Sequence, residues 1–435
     1  MTTGRRQWLS ACAAWAAGAQ TVCTPARAVA ALPGPAAAAP SRQADTTRPN
    51  PGRSDLEPIA AGHALAFPRD HGAHLGARIE WWYATGWLQA QGGGLFGFQL
   101  AFFRSLLTRA EGPVIAAGGA SKPGRFEPRH LLFAHAALTD VAGQRHRHAQ
   151  RISRWSGDES QVEAHASRRD TDLGLGPWTL KREPARTHSA HPASPASPAS
   201  SASPGSADGP AGATYQARLA APEAGFTLSL TLQAHQPLLL QGEAGYSRKG
   251  AAPGQASHYY SQPQLAASGQ VTLDGKRSPT PWIGQAWLDH EWSDQLLGAD
   301  STGWDWFGIN LHDGSALTAF VLRNAAGAAT WAGGSHRSAA GVLRNFAPDE
   351  VLFEPLREWR SPATGGRYPV QWRITTPAGR FTLRALLDAQ ELDSRASAGT
   401  VYWEGLAELL GPAGDRRGLG YLEMTGRAQA LKTGG

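Results

Sequence analysis

The densest group of chemically capable residues is Trp287-Leu288-Asp289-His290-Glu291-Trp292-Ser293. Three consecutive titratable side chains between two tryptophans do not read as plain surface. If the segment is a strand, alternation puts Asp289 and Glu291 on one face and His290 and Trp292 on the other. A carboxyl in an apolar setting is pushed toward its neutral form and becomes a proton donor near neutral pH. The structural alternative is a buried network of ion pairs and hydrogen bonds, with an arginine such as Arg323 as counter-charge. Both readings stay open on the sequence.

Glu80 is a second candidate, because it sits between Ile79 and Trp81 in an aromatic run that also holds Trp82. A carboxylate there is either paired in a core salt bridge or part of a site. Tyr259-Tyr260-Ser261 could supply phenol donors to a cavity, or simply pack half-buried. Asp70, His71 and His74 lie just before the first strand, but no third ligand and no H-E-x-x-H spacing is near them, so no metal is expected. His146 and His148 alternate with arginines and read as solvated. There is no G-x-S-x-G elbow, phosphate loop or dinucleotide fingerprint. Taken together, the tryptophans and phenylalanines could line a ligand cavity.

The elements that must position these residues are strands. Ile79 to Leu88 and Leu95 to Arg104 flank the glycine turn at residues 91–94, which predicts a hairpin. Phe226, Leu228, Leu230 and Leu232 alternate with polar or small residues, as a strand with one buried face requires. Asp274-Gly275 and Asp313-Gly314 are hairpin dipeptides. Arg367 to Thr376 and Arg380 to Leu387 flank one turn; Thr400 to Leu409 and Gly418 to Thr425 flank another. No segment carries a sustained helical period, and Ala299 to Trp304 is too short to count.

The 435 residues suffice for two domains, and 51 Gly, 30 Pro and 16 Trp suit turn-rich β structure. A duplication is legible. Glu80-Trp81-Trp82-Tyr83 precedes a glycine turn and a run ending Phe102-Phe103-Arg104. Trp304-Asp305-Trp306-Phe307 precedes the Asp313-Gly314 turn and a run ending Val321-Leu322-Arg323. Closing each unit into a barrel or sandwich would remove the exposed strand edges.

The N-terminus reads as an export signal over residues 1–28: Arg5-Arg6, an apolar stretch from Trp8 to Val22, and Ala26-Arg27-Ala28 as a small-x-small cleavage site. The paired arginines suit a twin-arginine route. Both cysteines, Cys12 and Cys23, fall inside this segment, so the mature chain has neither disulfide nor thiolate. Without residues 1–28 the formal charge drops from +6 to +3, too mild and dispersed for nucleic acid. Residues 29–56 read as a disordered linker, and the Pro-Ala-Ser stretch at 184–213 as a disordered loop inside a domain.

Several ordered motifs resemble a known family. Phe67-Pro68-Arg69-Asp70-His71-Gly72 followed by Glu80-Trp81-Trp82-Tyr83-Ala84-Thr85-Gly86 is similar to the opening of the carotenoid 1,2-hydratase family, the lipocalin-like group also called hydroxyneurosporene synthase or AttH and often described as secreted hydrolases. Ser247-Arg248-Lys249-Gly250, Tyr259-Tyr260-Ser261, Gly284 through Trp292, Gly303 through Phe307, Tyr402-Trp403-Glu404-Gly405 and Gly420 through Gly426 fit as well, so the likeness spans about residues 60–428. It implies two tandem lipocalin-like β-barrels and acid-catalysed water addition to a carotenoid-like alkene without a cofactor. The His-x-Trp pair of those enzymes matches His290 and Trp292. Their Tyr-x-Asp partner has no match in Leu317 to Val321, so carotenoid itself is expected to be a poor substrate.

The resulting expectation is an all-β protein of two tandem lipocalin-like barrels, with domains at 57–265 and 266–430. It would be exported to the periplasm or secreted, and would act without cofactor on a hydrophobic, isoprenoid-like molecule. Asp289 or Glu291 would be the acid and His290 would orient water. Trp292, Trp304, Trp306, Tyr259, Tyr260, Glu80 and Trp82 would line the pocket. The rival reading is a non-catalytic carrier of a lipid or pigment, in peripheral contact with the membrane or an ABC-type export system.

Overall fold

Runs of β-branched and aromatic residues broken by Gly-containing turns give strands and little else. The computed structural model describes residues 58–431 apart from 91–93, 108–128, 185–211, 253, 279, 296 and 299. The expected signal, the linker, most of the Pro-Ala-Ser loop and most of the first glycine turn lie outside the described residues. Among those described, the helical content is three 3-10 turns of three residues each, at Arg69–His71, Pro222–Ala224 and Pro348–Glu350. The chain is all-β.

The first sheet holds β1 (Ile79–Gln89), β2 (Leu95–Leu106), β3 (His130–Asp140), β4 (Arg145–Trp155), β5 (Ala164–Ala166), β6 (Asp172–Leu175) and β7 (Trp178–Glu183). It continues with β8 (Thr214–Ala221), β9 (Phe226–Gln233), β10 (Leu239–Leu240), β11 (Tyr246–Arg248), β12 (Ala256–Leu273), β13 (Lys276–Arg277) and β14 (Trp282–Ser293). The second holds β15 (Gly303–Leu311), β16 (Ala316–Arg323), β17 (Ala329–Arg337), β18 (Leu343–Phe346) and β19 (Leu352–Arg360). It ends with β20 (Arg367–Thr376), β21 (Gly379–Ala385), β22 (Glu391–Ser394), β23 (Thr400–Leu410) and β24 (Arg416–Met424).

The two sheets repeat one topology. In each, antiparallel neighbours follow in chain order and the last strand returns to the first, β14 to β1 and β24 to β15. Each ladder has one gap, between β4 and β5 in the first and between β18 and β19 in the second. Across the first gap the Arg151 guanidinium lies 5.3 Å from the centre of the Trp178 ring, and Arg147 bonds the Gly225 carbonyl and Asp274. This is the order of an up-and-down barrel left open at one seam. The duplication extends to the interior: Glu80 pairs with Arg104 (2.8 Å) and Asp305 with Arg323 (2.7 Å), so the two acid-and-arginine motifs do the same structural work.

The expected hairpins form. Phe226, Leu228, Leu230 and Leu232 are all buried, with their neighbours on β9 half-buried or exposed. Asp274 and Gly275 both take positive φ, +47° and +78°, as a tight two-residue hairpin demands. The boundary expected at 265/266 requires correction, because that point lies inside β12 and the first sheet runs on through β14 to Ser293. The reason is local. Pro263, with no N–H to give a ladder, sits at a β-bulge between Gln262 and Leu265. The Gln264 backbone N–H donates to Asn310 Oδ1, and its side-chain amide donates to the Leu311 and Ser315 carbonyls. What reads as a break in pattern is a bend that docks one sheet on the other.

Burial follows from that docking. Trp82, Ala84 and Leu88 of β1 point into the first core, and Tyr83 points into a cluster shared with Trp306, Phe320, Leu406 and Tyr421 of the second sheet. A strand covered on both faces has no polar alternation left, which is why β14 and β23 are buried almost throughout.

Candidate active site

Between the sheets lies a cavity of about 760 Å³. From the first sheet it is walled by Trp81, Tyr83, Phe103, Phe133, His135, Tyr259, Asp289 and Glu291, and from the second by Trp304, Trp306, Phe320, Tyr402, Glu404 and Glu423. Lys249, Leu297 and the turn at 397–399 close its sides. An apolar chamber of this size with a few convergent polar groups has the character of a small-molecule site.

Asp289 sits on this wall, between Tyr83 of β1 and Ser261 of β12 in the ladder. Its Oδ1 accepts from Ser261 Oγ (2.5 Å) and from Trp287 Nε1 (2.8 Å). Burial pushes its pKa up to about 7, and the hydrogen bonds from Ser261, Trp287 and Tyr259 limit the rise. Glu291, two residues on, accepts from Ser257 Oγ (2.5 Å) and lies 3.1 Å from Lys249 Nζ. Lys249 in turn lies over the Phe320 ring, 4.3 Å from its centre. Glu291 is thus held in an ion pair, whereas no basic side chain pairs with Asp289 among the described residues.

Two further carboxyls face the same chamber. Glu404 and Glu423 are direct partners across β23 and β24. Burial pushes Glu423 up to about 7, and burial with repulsion from Glu423 pushes Glu404 well above the usual carboxylate range. Gln99 donates to Glu404 and to the Tyr402 hydroxyl (3.2 Å), and that hydroxyl is 2.8 Å from His135 Nδ1. His135 reaches Ser397 through Nε2 (2.8 Å) and is held neutral by burial, its pKa down to about 3. Glu404 and Glu423 lie inside the family motifs at 402–405 and 420–426, but the sequence does not mark them as site residues. The available signal was a lone acid in an apolar strand, the same feature that marks Glu80.

The rest of the expected site lies on the opposite face of β1, β12 and β14, inside the first barrel. Trp82, Tyr260, His290 and Trp292 are there with Glu80, all buried. Glu80 takes hydrogen bonds from His74 Nδ1 (2.8 Å), His290 Nε2 (2.9 Å) and Arg104 Nε (2.8 Å). His290 Nδ1 meets the Tyr260 hydroxyl at 3.1 Å, and that hydroxyl meets His71 Nδ1 at 2.7 Å. His290 therefore does not orient water beside Asp289. Adjacent residues of a strand cannot share a face. Trp292 stacks on His74 at 3.6 Å and Trp82 on His290 at 4.6 Å, so neither tryptophan lines the chamber. Burial would raise the Glu80 pKa, but Arg104 and the two histidines hold it well below the usual range. Of the expected pocket residues, Tyr259, Trp304 and Trp306 reach the cavity; Glu80, Trp82, Tyr260 and Trp292 do not. Arg323, offered as a counter-charge to the acids of β14, belongs to Asp305.

With this geometry in place, comparison with known proteins is decisive at the level of family. The sequence profile of the AttH-like family matches residues 58–427. The chain belongs to the AttH-like family. A crystal structure of an AttH protein from Nitrosomonas europaea is 40% identical, with a TM-score of 0.71 over 86% of this chain and 100% of that one. Kievitone hydratase from Nectria haematococca is 13% identical, with a TM-score of 0.56 over 86% of this chain and 97% of that one, a likeness of fold. No curated protein sequence matches the chain. The AttH-like membership and these neighbours agree with the lipocalin-like, all-β architecture expected from the motifs.

Proposed function

We propose that this AttH-like protein is a cofactor-independent acid catalyst that adds water to, or hydrolyses, a hydrophobic and isoprenoid-like substrate held between the two sheets. One observation carries the reading: Asp289, a carboxyl with a pKa near 7, faces an aromatic chamber that also holds Glu423. At neutral pH a large fraction of Asp289 is protonated, and an apolar wall strengthens its pull on a substrate. In hydration, the Asp289 carboxyl gives its proton to one alkene carbon and a tertiary cation forms on the other. The faces of Trp81, Trp304 and Trp306 steady the positive charge. Water bonds to the cation, and its surplus proton returns to the Asp289 carboxylate. Alkene and water become alcohol, and the acid is restored.

Arg5-Arg6 and the apolar stretch after them support placing this activity in the periplasm or outside the cell. The carrier reading draws support from the same chamber, which would hold a lipid with or without chemistry. Turnover in water labelled with heavy oxygen separates the two. Label should enter an acyclic polyene or an isoprenoid ester in the presence of the wild-type protein. Asp289→Asn should lose label incorporation by about 10²-fold or more while keeping its affinity for the ligand. Binding without incorporation in the wild type would favour the carrier, and full incorporation by Asp289→Asn would remove Asp289 from the mechanism.

A further inference from the structure

The polar group inside the first barrel is not used by this chemistry, and its arrangement has a meaning of its own. His71 and His74 lacked a third ligand in the sequence. The fold supplies the missing groups from strands far along the chain: His74, Glu80 and His290 present ligand atoms within 4.8 Å of one another, all buried. We propose that these three residues bind a zinc ion that braces β1 against β14, on the face opposite Asp289.

Two histidines and one carboxylate form an established donor set for zinc. Glu80 Oε1 lies 2.8 Å from His74 Nδ1 and 2.9 Å from His290 Nε2. An ion ~2.0–2.1 Å from each donor needs those separations to open to about 3.3 Å, a move of about half an ångström. Three donors converge on that one oxygen, since the His74 backbone N–H also reaches it at 3.0 Å. An ion would take the place of the two imidazole protons and relieve the crowding.

The surroundings are those of a metal centre. Ligating histidines are held through their second nitrogen. His74 Nε2 is 3.2 Å from Asp70 Oδ1, and His290 Nδ1 is 3.1 Å from the Tyr260 hydroxyl. Arg104 occupies Glu80 Oε2, leaving Oε1 as the oxygen for the ion. Stacking by Trp292 on His74 and by Trp82 on His290 fixes both ring planes.

The test uses the purified chain, stripped by chelator dialysis and titrated with Zn²⁺ alone. The expected result is uptake of one zinc per chain, release of protons on binding and a rise in Tm. His74→Gln and His290→Gln should each lose the uptake, and His312→Gln, at an exposed histidine, should keep it. The wild-type readings need no variant to fold. No stoichiometric uptake and no change in Tm would overturn the proposal, as would uptake that survives in both His74→Gln and His290→Gln.

Discussion

At the scale of single residues, the two faces of one sheet divide the labour. Asp289 is raised toward neutrality by burial on the cavity side, and Glu80 is held ionised by Arg104 on the barrel side. They predict opposite behaviour. For Asp289 the folded pKa of about 7 lies above the unfolded value, so between about pH 4 and 7 the native state binds more protons. Its contribution to stability therefore falls as pH rises through that window, by about 4 kcal/mol at most. Asp289→Asn should flatten this slope and be more stable than wild type at alkaline pH, which melting curves at about pH 5 and about pH 8.5 would read. Glu80→Gln should behave differently. It leaves Arg104 buried without its partner and should cost about 3–5 kcal/mol at neutral pH, measured by denaturant unfolding. Glu80 has its folded pKa lowered, so its stabilisation is present at neutral pH and lost in acid as pH falls below the unfolded value toward the folded one.

At the scale of elements, the strands and hairpins were legible because turn chemistry and alternation are local. Asp274-Gly275 fixed one hairpin and Phe226 to Leu232 one buried face. The opposition of Asp289 and His290 followed from strand geometry alone. The partners were not legible. Nothing near His74 announces His290, 216 positions away, and nothing near Asp289 announces Glu423, because both meetings depend on which sheet covers which. The boundary was misplaced for a related reason: a proline at a bulge resembles a linker until its neighbour's contacts are seen. Gln264 makes three cross-sheet hydrogen bonds. Gln264→Ala removes the two cross-sheet bonds of its side chain and takes the acceptor from Gln285 Nε2, so it should cost about 1–3 kcal/mol and loosen the cavity. Thermal melting and ligand affinity would both report it.

At the scale of the whole molecule, two sheets of one topology share a site that neither builds alone. A fragment ending at residue 265 lacks β14 and leaves β1 with an open edge. It should fail to give a cooperative transition, whereas a fragment ending near residue 294 contains every strand of the first sheet and should retain more β signal by circular dichroism. The chamber asks both sheets for acids: Asp289 from one, Glu404 and Glu423 from the other. Everything proposed about function rests on a proton being available there at neutral pH. Carbon-13 NMR titration of the carboxyl groups tests this directly, with Asp289→Asn and Glu423→Gln spectra to assign the two signals. The account predicts an Asp289 midpoint near 7 in the intact protein. Midpoints for both carboxyls at the ordinary values of about 4 would contradict it.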